Sequence, residues 1–432
     1  MYRTKIKELI EWKLSANRKP LIVQGARQVG KTWLIKEFGK TEFAQTIYIN
    51  FEKMNRLQDL FLQDLDPHRI ISTLEAFFKT KIDAANTLIV FDEIQSANKG
   101  LTSLKYFCED TPEYFVVASD SLLGMNLHKK ESFPVGKVNF LYMFPMNFYE
   151  FLLAVSETGM AEILEKKRFD MLPVFVDKFK ENLRYYFYIG GMPEVVNDFV
   201  ENRDWRNIQS IQSEILMTYE NDFSKHAPYE LVPRLNMVWQ NIPAQLSKEN
   251  KKFVYGVMKE GARAKDFELA IQWLIDSGIL LKSYRIKEPR IPLIAYQDMS
   301  AFKLFFNDVG LLAAKSKLDL QTVVLGNDVF TEYKGAFTEQ FVMQQLRAAE
   351  LDYIGYWTND RSTAEVDFIV QNKGEIIPIE VKSEENLKAK SFKLFCEKNK
   401  PAKAYRSSLT DYKEESWMTN LPLYAINTIT KK

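Results

Sequence analysis

Cysteine is nearly absent from this chain of 432 residues: Cys108 and Cys396 are the only two, with no paired spacing. That excludes a disulfide framework and a cysteine-held zinc, and it fits a reducing cytoplasm. Histidine is as scarce; His68, His128 and His226 stand isolated and read as ordinary surface or core residues. No apolar run is long enough to span a membrane. The start, Met1-Tyr2-Arg3-Thr4-Lys5, leads into the amphipathic segment 6–14 without the apolar core of a signal peptide. An excess of either charge is also missing, because 58 Lys and Arg face 57 Asp and Glu for a net +1. Gross charge therefore cannot steer nucleic acid, and any such contact must use a local patch. What remains, 46% hydrophobic and 27% charged, is a globular composition with room for about three domains. The expectation is a cytoplasmic protein with no membrane contact.

What is present is concentrated in one stretch, Gly25-Ala26-Arg27-Gln28-Val29-Gly30-Lys31-Thr32. An apolar run, Pro20-Leu21-Ile22-Val23-Gln24, precedes it, and Trp33-Leu34-Ile35-Lys36-Glu37-Phe38 follows in helical spacing. Strand, glycine-bearing loop and helix together make GxxxxGK[ST] a phosphate-binding loop rather than a chance match. The two glycines let successive N–H groups turn toward phosphate oxygens, and the helix N-terminus adds partial positive charge. Lys31 reaches the β- and γ-phosphates and the Thr32 hydroxyl ligates Mg²⁺. The ligand expected is a nucleoside triphosphate, read as ATP.

Downstream, Gln45 to Phe51 and Thr87 to Phe91 read as further strands, the second ending in Asp92-Glu93. Acids at the carboxyl end of a strand buried on both faces lie where open α/β sheets bind ligands. They read as a Walker B pair, with Asp92 holding Mg²⁺ and Glu93 as general base toward the attacking water. Tyr114 to Ala118 is another buried strand, and its polar tip offers Ser119 or Ser121 to the phosphate or water; the choice stays open. A helix with Ile6, Leu9, Ile10 and Leu14 on one side precedes the first strand.

The P-loop, Leu88 to Gln95, the run Ser121 to Gly124, Phe133-Pro134-Val135-Gly136-Lys137-Val138 and the segment Phe144 to Leu152 together resemble one family. It is the AAA+-like P-loop ATPases of bacteria and archaea that carry a C-terminal restriction-endonuclease-like domain. Arg184 to Glu194, containing Gly190-Gly191-Met192-Pro193-Glu194, resembles that family's lid motif. It reads as a sharp helix-to-helix turn, with Arg184 as the alternative phosphate sensor. Two positions depart from the family: Asp120 stands where glycine is expected, and Lys137 where arginine is more frequent. Lysine does not replace arginine at a bidentate phosphate contact, so service as a finger in a neighbour's site is in doubt.

Beyond residue 229, helices 242–246 and 263–276 are followed by apparent strands at Leu280–Arg285 and Pro292–Tyr296, the order of a winged helix. Arg263, Lys265, Lys282 and Arg285 either touch DNA phosphates or serve domain packing. Phe302 to Leu312 resembles the family's junction before the last domain. In the last third, a helix from Lys334 carries Glu339, and strands follow at 353–357, 365–370 and 375–382. Glu380 and Lys382, two residues apart on a strand, share a face. Asp367 on the adjoining strand and Glu339 complete a constellation suited to metal-assisted phosphodiester cleavage: Asp367 and Glu380 on Mg²⁺, Lys382 on the water, Glu339 as a further carboxylate. The order of parts resembles the PD-(D/E)xK nuclease fold. Lys388, Lys390, Lys393 and Lys398 give the next helix a basic face.

The fold class expected is α/β: a P-loop NTPase parallel sheet over 1–145, a helical lid over 146–228, a winged-helix-like linker over 229–322 and a restriction-endonuclease-like domain over 323–432. The function expected is an ATPase coupled to a nuclease-like domain, acting on DNA or another nucleic acid. The alternative is a nucleotide-gated switch whose silent last domain docks DNA or a protein; the partners expected are ATP, DNA or another nucleic acid, and a protein partner or self-association.

Overall fold

The computed structural model describes residues 2–121, 133–247, 252–320, 331–359, 364–383 and 390–429. Leu122 to Gly124, His128 and Lys388 lie outside the described residues, as does the Ser121 side chain. Two units are distinct, one built on residues 3–144 and one on residues 145–275 and 279–432.

In the first unit, β1 (Leu21–Gly25), β2 (Gln45–Asn50), β3 (Thr87–Asp92), β4 (Phe115–Ser121) and β5 (Asn139–Met143) form one sheet. The order is β2-β3-β4-β1-β5, and every pairing is parallel. Every residue of β1 and β3 is buried, as an unbroken apolar run requires when helices cover both faces. One face is filled by Phe51, Phe61, Phe91 and Phe107, with ring centroids 5.6 to 5.8 Å apart, a spacing suited to edge-on and tilted packing. The helix Lys31–Glu42 follows the phosphate loop and buries Leu34, Ile35 and Phe38. The first helix, Ile6–Leu14, forms as expected but seats a different face. Leu9 and Trp12 are buried while Leu14 is 77% exposed. Trp12 wins because its ring packs against both Phe38 and Phe115 and its indole N–H donates to the Lys19 carbonyl.

The second unit begins with helices Phe148–Ala154, Thr158–Glu165, Val176–Ile189, Pro193–Asn202, Trp205–His226 and Val232–Leu246. The glycine pair is the sharp turn expected between Val176–Ile189 and Pro193–Asn202. Gly190 has φ 75° and ψ −162°, a conformation essentially reserved for glycine. A Cβ on Gly190 would stand 2.0 Å from a carboxylate oxygen of Asp308, and one on Gly191 equally close to the Met146 carbonyl. Asp308 is fully buried and accepts from the N–H groups of Gly191 and Leu311 and from Gln344 Nε2, at 2.6 to 3.0 Å. Burial pushes its carboxyl up to about 6, because the donors around it include no cation.

The helix Thr331–Ala348 runs past this turn. Its expected apolar side, with Phe337, Phe341, Val342 and Leu346, is buried, but so are Gln340, Gln344 and Gln345 on other sides. Each glutamine satisfies main chain that would otherwise be stranded: Gln340 takes both the N–H and the carbonyl of Phe306, Gln344 the N–H of Val309, Gln345 that of Phe148.

Eight strands follow: β6 (Leu280–Ile286), β7 (Gln297–Phe306), β8 (Tyr353–Thr358), β9 (Glu365–Asn372), β10 (Glu375–Val381), β11 (Tyr405–Ser408), β12 (Lys413–Glu414) and β13 (Thr419–Pro422). They form a single sheet in the order β12-β13-β11-β10-β9-β8-β6-β7. The strand expected at Pro292–Tyr296 is instead a 3₁₀ turn, Leu293–Tyr296, anchored by buried Leu293, whose N–H donates to Gln371 Oε1 at 2.8 Å. The true second strand is β7, whose second half, Phe302–Phe306, lies in the segment read as a junction. The pair expected as a free-standing wing is the edge of the larger sheet, because β6 continues it in parallel register, Tyr284 with Gly355 and Ile286 with Trp357. The core of this sheet runs helix Thr331–Ala348, β8, β9, β10, helix Lys390–Asn399, β11, with β8–β10 antiparallel and β10–β11 parallel.

Replacing Gly190 with Ala will cost about 3 kcal/mol of unfolding free energy, from the Gly-only backbone and the overpacked contact together. Chemical denaturation checks this; an unchanged midpoint would refute the account of the turn. For Asp308 the folded pKa is raised, so its stabilising contribution is whole below the unfolded value near 3.8 and is lost as pH rises through about 6. Asp308→Asn, a neutral mimic, will therefore gain on the native chain between pH 4 and 7, by up to about 3 kcal/mol. Unfolding curves of both proteins at several pH values measure the difference.

Candidate active sites

The parallel order places β4 between β1 and β3, so the ends of these three strands lie side by side: Gly25 beside Ser121, and Asp92 beside Ser119. The phosphate loop leaves β1 through Gly25, where a Cβ would come within 2.4 Å of the Met143 carbonyl oxygen. It passes Gln28 and Gly30, both at positive φ, before entering the helix at Lys31. Ala26 and Val29 are buried and pin the loop, while Arg27 and Gln28 face outward to differing degrees. Arg3, nearly fully buried, holds the loop from outside it: one guanidinium nitrogen donates to the Val29 carbonyl at 2.7 Å and the other to Phe144 at 2.6 Å. Sequence reading missed Arg3, which no motif marks.

Lys31 folds back over the loop, its ammonium donating to the Gly25 and Ala26 carbonyls at 2.9 Å each. Burial pulls its pKa down to about 8, against the opposing pull of Glu93, Asp120 and Asp92. A cation destabilised in this way gains most from an anion brought beside it.

One carboxylate organises the rest. Asp92 Oδ2 accepts from Thr32 Oγ1 and Asn50 Nδ2, each at 3.3 Å, and from the Tyr48 hydroxyl; Oδ1 accepts from Ser119 Oγ. Of the two serines read at this strand tip, Ser119 places its hydroxyl on Asp92, and the Ser121 side chain lies outside the described residues. Tyr48 and Asn50, at the end of β2 and in register with β3, were not singled out by sequence. Their alternate spacing at a strand end was the available signal. Glu93 leaves β3 in a left-handed conformation, φ 52°, and accepts from Gln95 Nε2 at 2.5 Å. Burial raises its carboxyl toward neutrality, which strengthens it as a base. Asp120 is fully buried at the end of β4 and adds negative charge near Lys31. Lys137 is ion-paired with Glu109 at 2.8 Å, so its ammonium is held within its own unit. The residues fit a magnesium nucleotide: a glycine cradle, a desolvated lysine, and a hydroxyl–carboxylate pair within hydrogen-bond reach.

The second cluster lies in the eight-stranded sheet and contains every residue expected there. Asp367 on β9 accepts from the Val381 N–H at 2.7 Å, which ties it to β10. Glu380 pairs with Lys382 at 2.6 Å through Oε1, while its Oε2, deeply buried, has no hydrogen-bond partner among the described residues. Burial raises the carboxyls of Asp367 and Glu380, and for Asp367 the nearby Glu380 and Glu339 raise it further. Glu339 does not stand alone: Lys303 on β7, 1% exposed, donates to it at 3.4 Å and also pairs with Glu365. Burial alone would lower the Lys303 ammonium, but Glu339, Glu365 and Asp367 overcome this and hold it protonated. Neither Lys303 nor Glu365 was foreseen, since Lys303 lies on the misplaced strand. Among the described residues no three Asp, Glu, His or Cys side chains are grouped as ligands of one ion. A buried Glu380, one oxygen of which has no hydrogen-bond partner among the described residues, beside a half-buried Asp367 still matches the way Mg²⁺ is held by one or two carboxylates and water.

The basic residues expected on DNA are partly committed elsewhere. Arg285 pairs with Asp298, and the Lys282 ammonium lies 4.4 and 4.2 Å from the ring centroids of Tyr284 and Phe302. Arg184 is exposed, as are Lys390, Lys393 and Lys398. No helix among the described residues is long and apolar enough to cross a membrane.

Comparison with known families divides the chain into three. Residues 17–152 match the model of an AAA domain, residues 180–322 a domain of unknown function (DUF8612), and residues 334–426 a second such domain (DUF4143). No curated protein matches the chain. Similar solved structures include the Walker-type ATPase PABY2304 of Pyrococcus abyssi, at 13% identity and TM-score 0.44 over 73% of this chain and 95% of that one. The ORC1 protein of Aeropyrum pernix in complex with DNA is similar at 13% identity and TM-score 0.30, over 74% and 93%. The sheet, the loop and the AAA match together make the amino-terminal part of this chain an AAA-like P-loop ATPase domain.

Proposed function

We propose that the chain binds ATP with Mg²⁺, hydrolyses it, and uses its nucleotide state to control a nuclease-like C-terminal domain acting on nucleic acid. The observation that carries the first half is the placement of Lys31, Thr32, Asp92 and Glu93 around one end of the parallel sheet. Main-chain N–H groups from Gly25 to Thr32 receive the phosphates, and Lys31 exchanges two carbonyl contacts for phosphate oxygens. Thr32 and Asp92 would hold the Mg²⁺, which supplies positive charge against the triphosphate. Asn50, Tyr48 and Ser119 keep Asp92 oriented, and Glu93 accepts a proton from the attacking water.

For the C-terminal half, the support is the strand–helix order together with Asp367, Glu380, Lys382 and Glu339 in one buried cluster. Asp367 and Glu380 would hold a Mg²⁺, and Lys382 orients the water. A second reading is a silent module that docks DNA or a protein, in keeping with no three Asp, Glu, His or Cys side chains being grouped as ligands among the described residues.

Lys31→Ala will weaken ATP binding by about 10- to 100-fold, the value of one charged hydrogen bond. In the native chain affinity will fall as pH rises above about 8, where the free Lys31 loses its proton, and the alanine variant will lack that slope. Titration calorimetry across pH reads both; a slope retained without Lys31 would assign the proton elsewhere. Glu93→Gln will keep binding and lose about 10²–10⁴ in turnover. The downstream activity is tested by Mg²⁺-dependent cleavage of single- and double-stranded DNA and RNA, with and without ATP. Cleavage abolished by Asp367→Ala supports a nuclease; no cleavage of any substrate by the native chain supports the docking module.

A further inference from the structure

The C-terminal cluster brings four carboxylates, Glu339, Glu365, Asp367 and Glu380, around two ammonium groups, Lys303 and Lys382. The lysines are not equivalent. Lys382 sits at the partly exposed end of β10, two residues from its partner, as the sequence pattern expects. Lys303 reaches in from β7, an element outside the helix–strand core, and is sealed by the sheet with its ammonium 4.9 Å from the Tyr356 ring centroid. It divides the acids into two sets. Glu339 and Glu365 are ion-paired with Lys303, whereas Asp367 accepts from the Val381 N–H and acts on Lys303 only through its charge. Glu380 pairs with Lys382, while its Oε2 has no hydrogen-bond partner among the described residues.

We propose that Lys303 is the built-in substitute for a second metal ion, so that the cluster takes a single divalent cation, held by Asp367 and Glu380. This rests on the reading of those two residues as a cation site. Four carboxylates against two ammonium groups leave a formal charge of −2, which one divalent ion neutralises and two would overshoot. A second ion would need Glu339 or Glu365 and would meet the buried Lys303 ammonium paired with both. The chemistry that follows is one-metal hydrolysis, with Lys382 rather than a second ion beside the water.

The test counts Mn²⁺ bound to the full chain without nucleotide, by titration calorimetry and by electron paramagnetic resonance of free Mn²⁺. Ions lost in Asp367→Asn are assigned to the cluster. The native chain is expected to bind one such ion and Lys303→Gln two. Glu339→Gln, which leaves the proposed ligands intact, is expected still to bind one Asp367-dependent ion. Two ions in the native chain, or one ion in a folded Lys303→Gln, would overturn the substitution while leaving the cation site in place. Loss of the ion in Glu339→Gln would overturn it too, and that variant decides the matter if Lys303→Gln does not fold. No Asp367-dependent ion in any of these proteins would instead overturn the reading of Asp367 and Glu380 as a cation site.

Discussion

The Asp92 carboxylate is the constraint around which the amino-terminal unit is built. A buried carboxylate is tolerated only when hydrogen bonds replace the water it has lost. Here the donors come from the phosphate-loop helix, from β2 and from β4, so one acid joins three neighbouring elements. That demand explains why the strand order matters. With β4 set between β1 and β3, Ser119 meets Asp92 from one side while β2 supplies Tyr48 and Asn50 from the other. A sheet with β1 directly beside β3 would leave no place for the Ser119 contact. Positioning of Asp92 and Glu93 is thus a consequence of sheet topology, with packing of the phenylalanine cluster against the same sheet.

The second unit depends on a different buried acid. Asp308 links the Gly190-Gly191 turn, the helix that begins at Val309 and the helix Thr331–Ala348 through direct hydrogen bonds. Around it, three glutamines from one helix pair with main-chain groups of Phe148, Phe306 and Val309. Such contacts fix register more tightly than apolar packing does, because a slip of one residue strands several buried polar groups together. The helical segment after residue 145 and the helix Thr331–Ala348 are therefore tied together by buried hydrogen bonds. A change at the glycine turn reaches the helix that carries Glu339 through two hydrogen bonds, Gly191 to Asp308 and Gln344 to Asp308.

Legibility in the sequence followed the range of the interactions. The phosphate loop, the β3 acids and the Glu380–Lys382 pair were readable because local spacing alone brings those atoms together. The glycine turn was readable for the same reason. Arg3, Tyr48, Asn50, Lys303 and Glu365 were not, since their partners are distant in sequence and their roles follow from strand order. The misplaced strand shows how such errors propagate. Pro292 to Tyr296 alternates like a strand, yet Leu293 is needed as a plug and the segment turns. Placing the hairpin one segment too early hid β7 and, with it, the lysine that enters the acidic cluster. Helix Ile6–Leu14 shows a milder case, in which the element was right and its buried face was decided by one indole ring.

Two buried lysines separate the two sites more sharply than any motif. Lys31 is held by neutral carbonyls, with acids acting only from a distance, and burial wins: its proton is loosened to about 8. Lys303 is equally buried but lies against two carboxylates, with a third acting on it, and the charges win: its proton is held more firmly than in water. The difference is one of unspent attraction. A desolvated ammonium facing carbonyl dipoles gains strongly from an arriving anion, and that gain is what a phosphate site requires. An ammonium already saturated by carboxylates has nothing to offer an anion and instead repels a cation. The same side chain, equally shielded from water, thus acts as a receptor in one unit and as a fixed counter-ion in the other. The sign of the surrounding charge decides which, and that sign is set by elements far from either lysine in the chain.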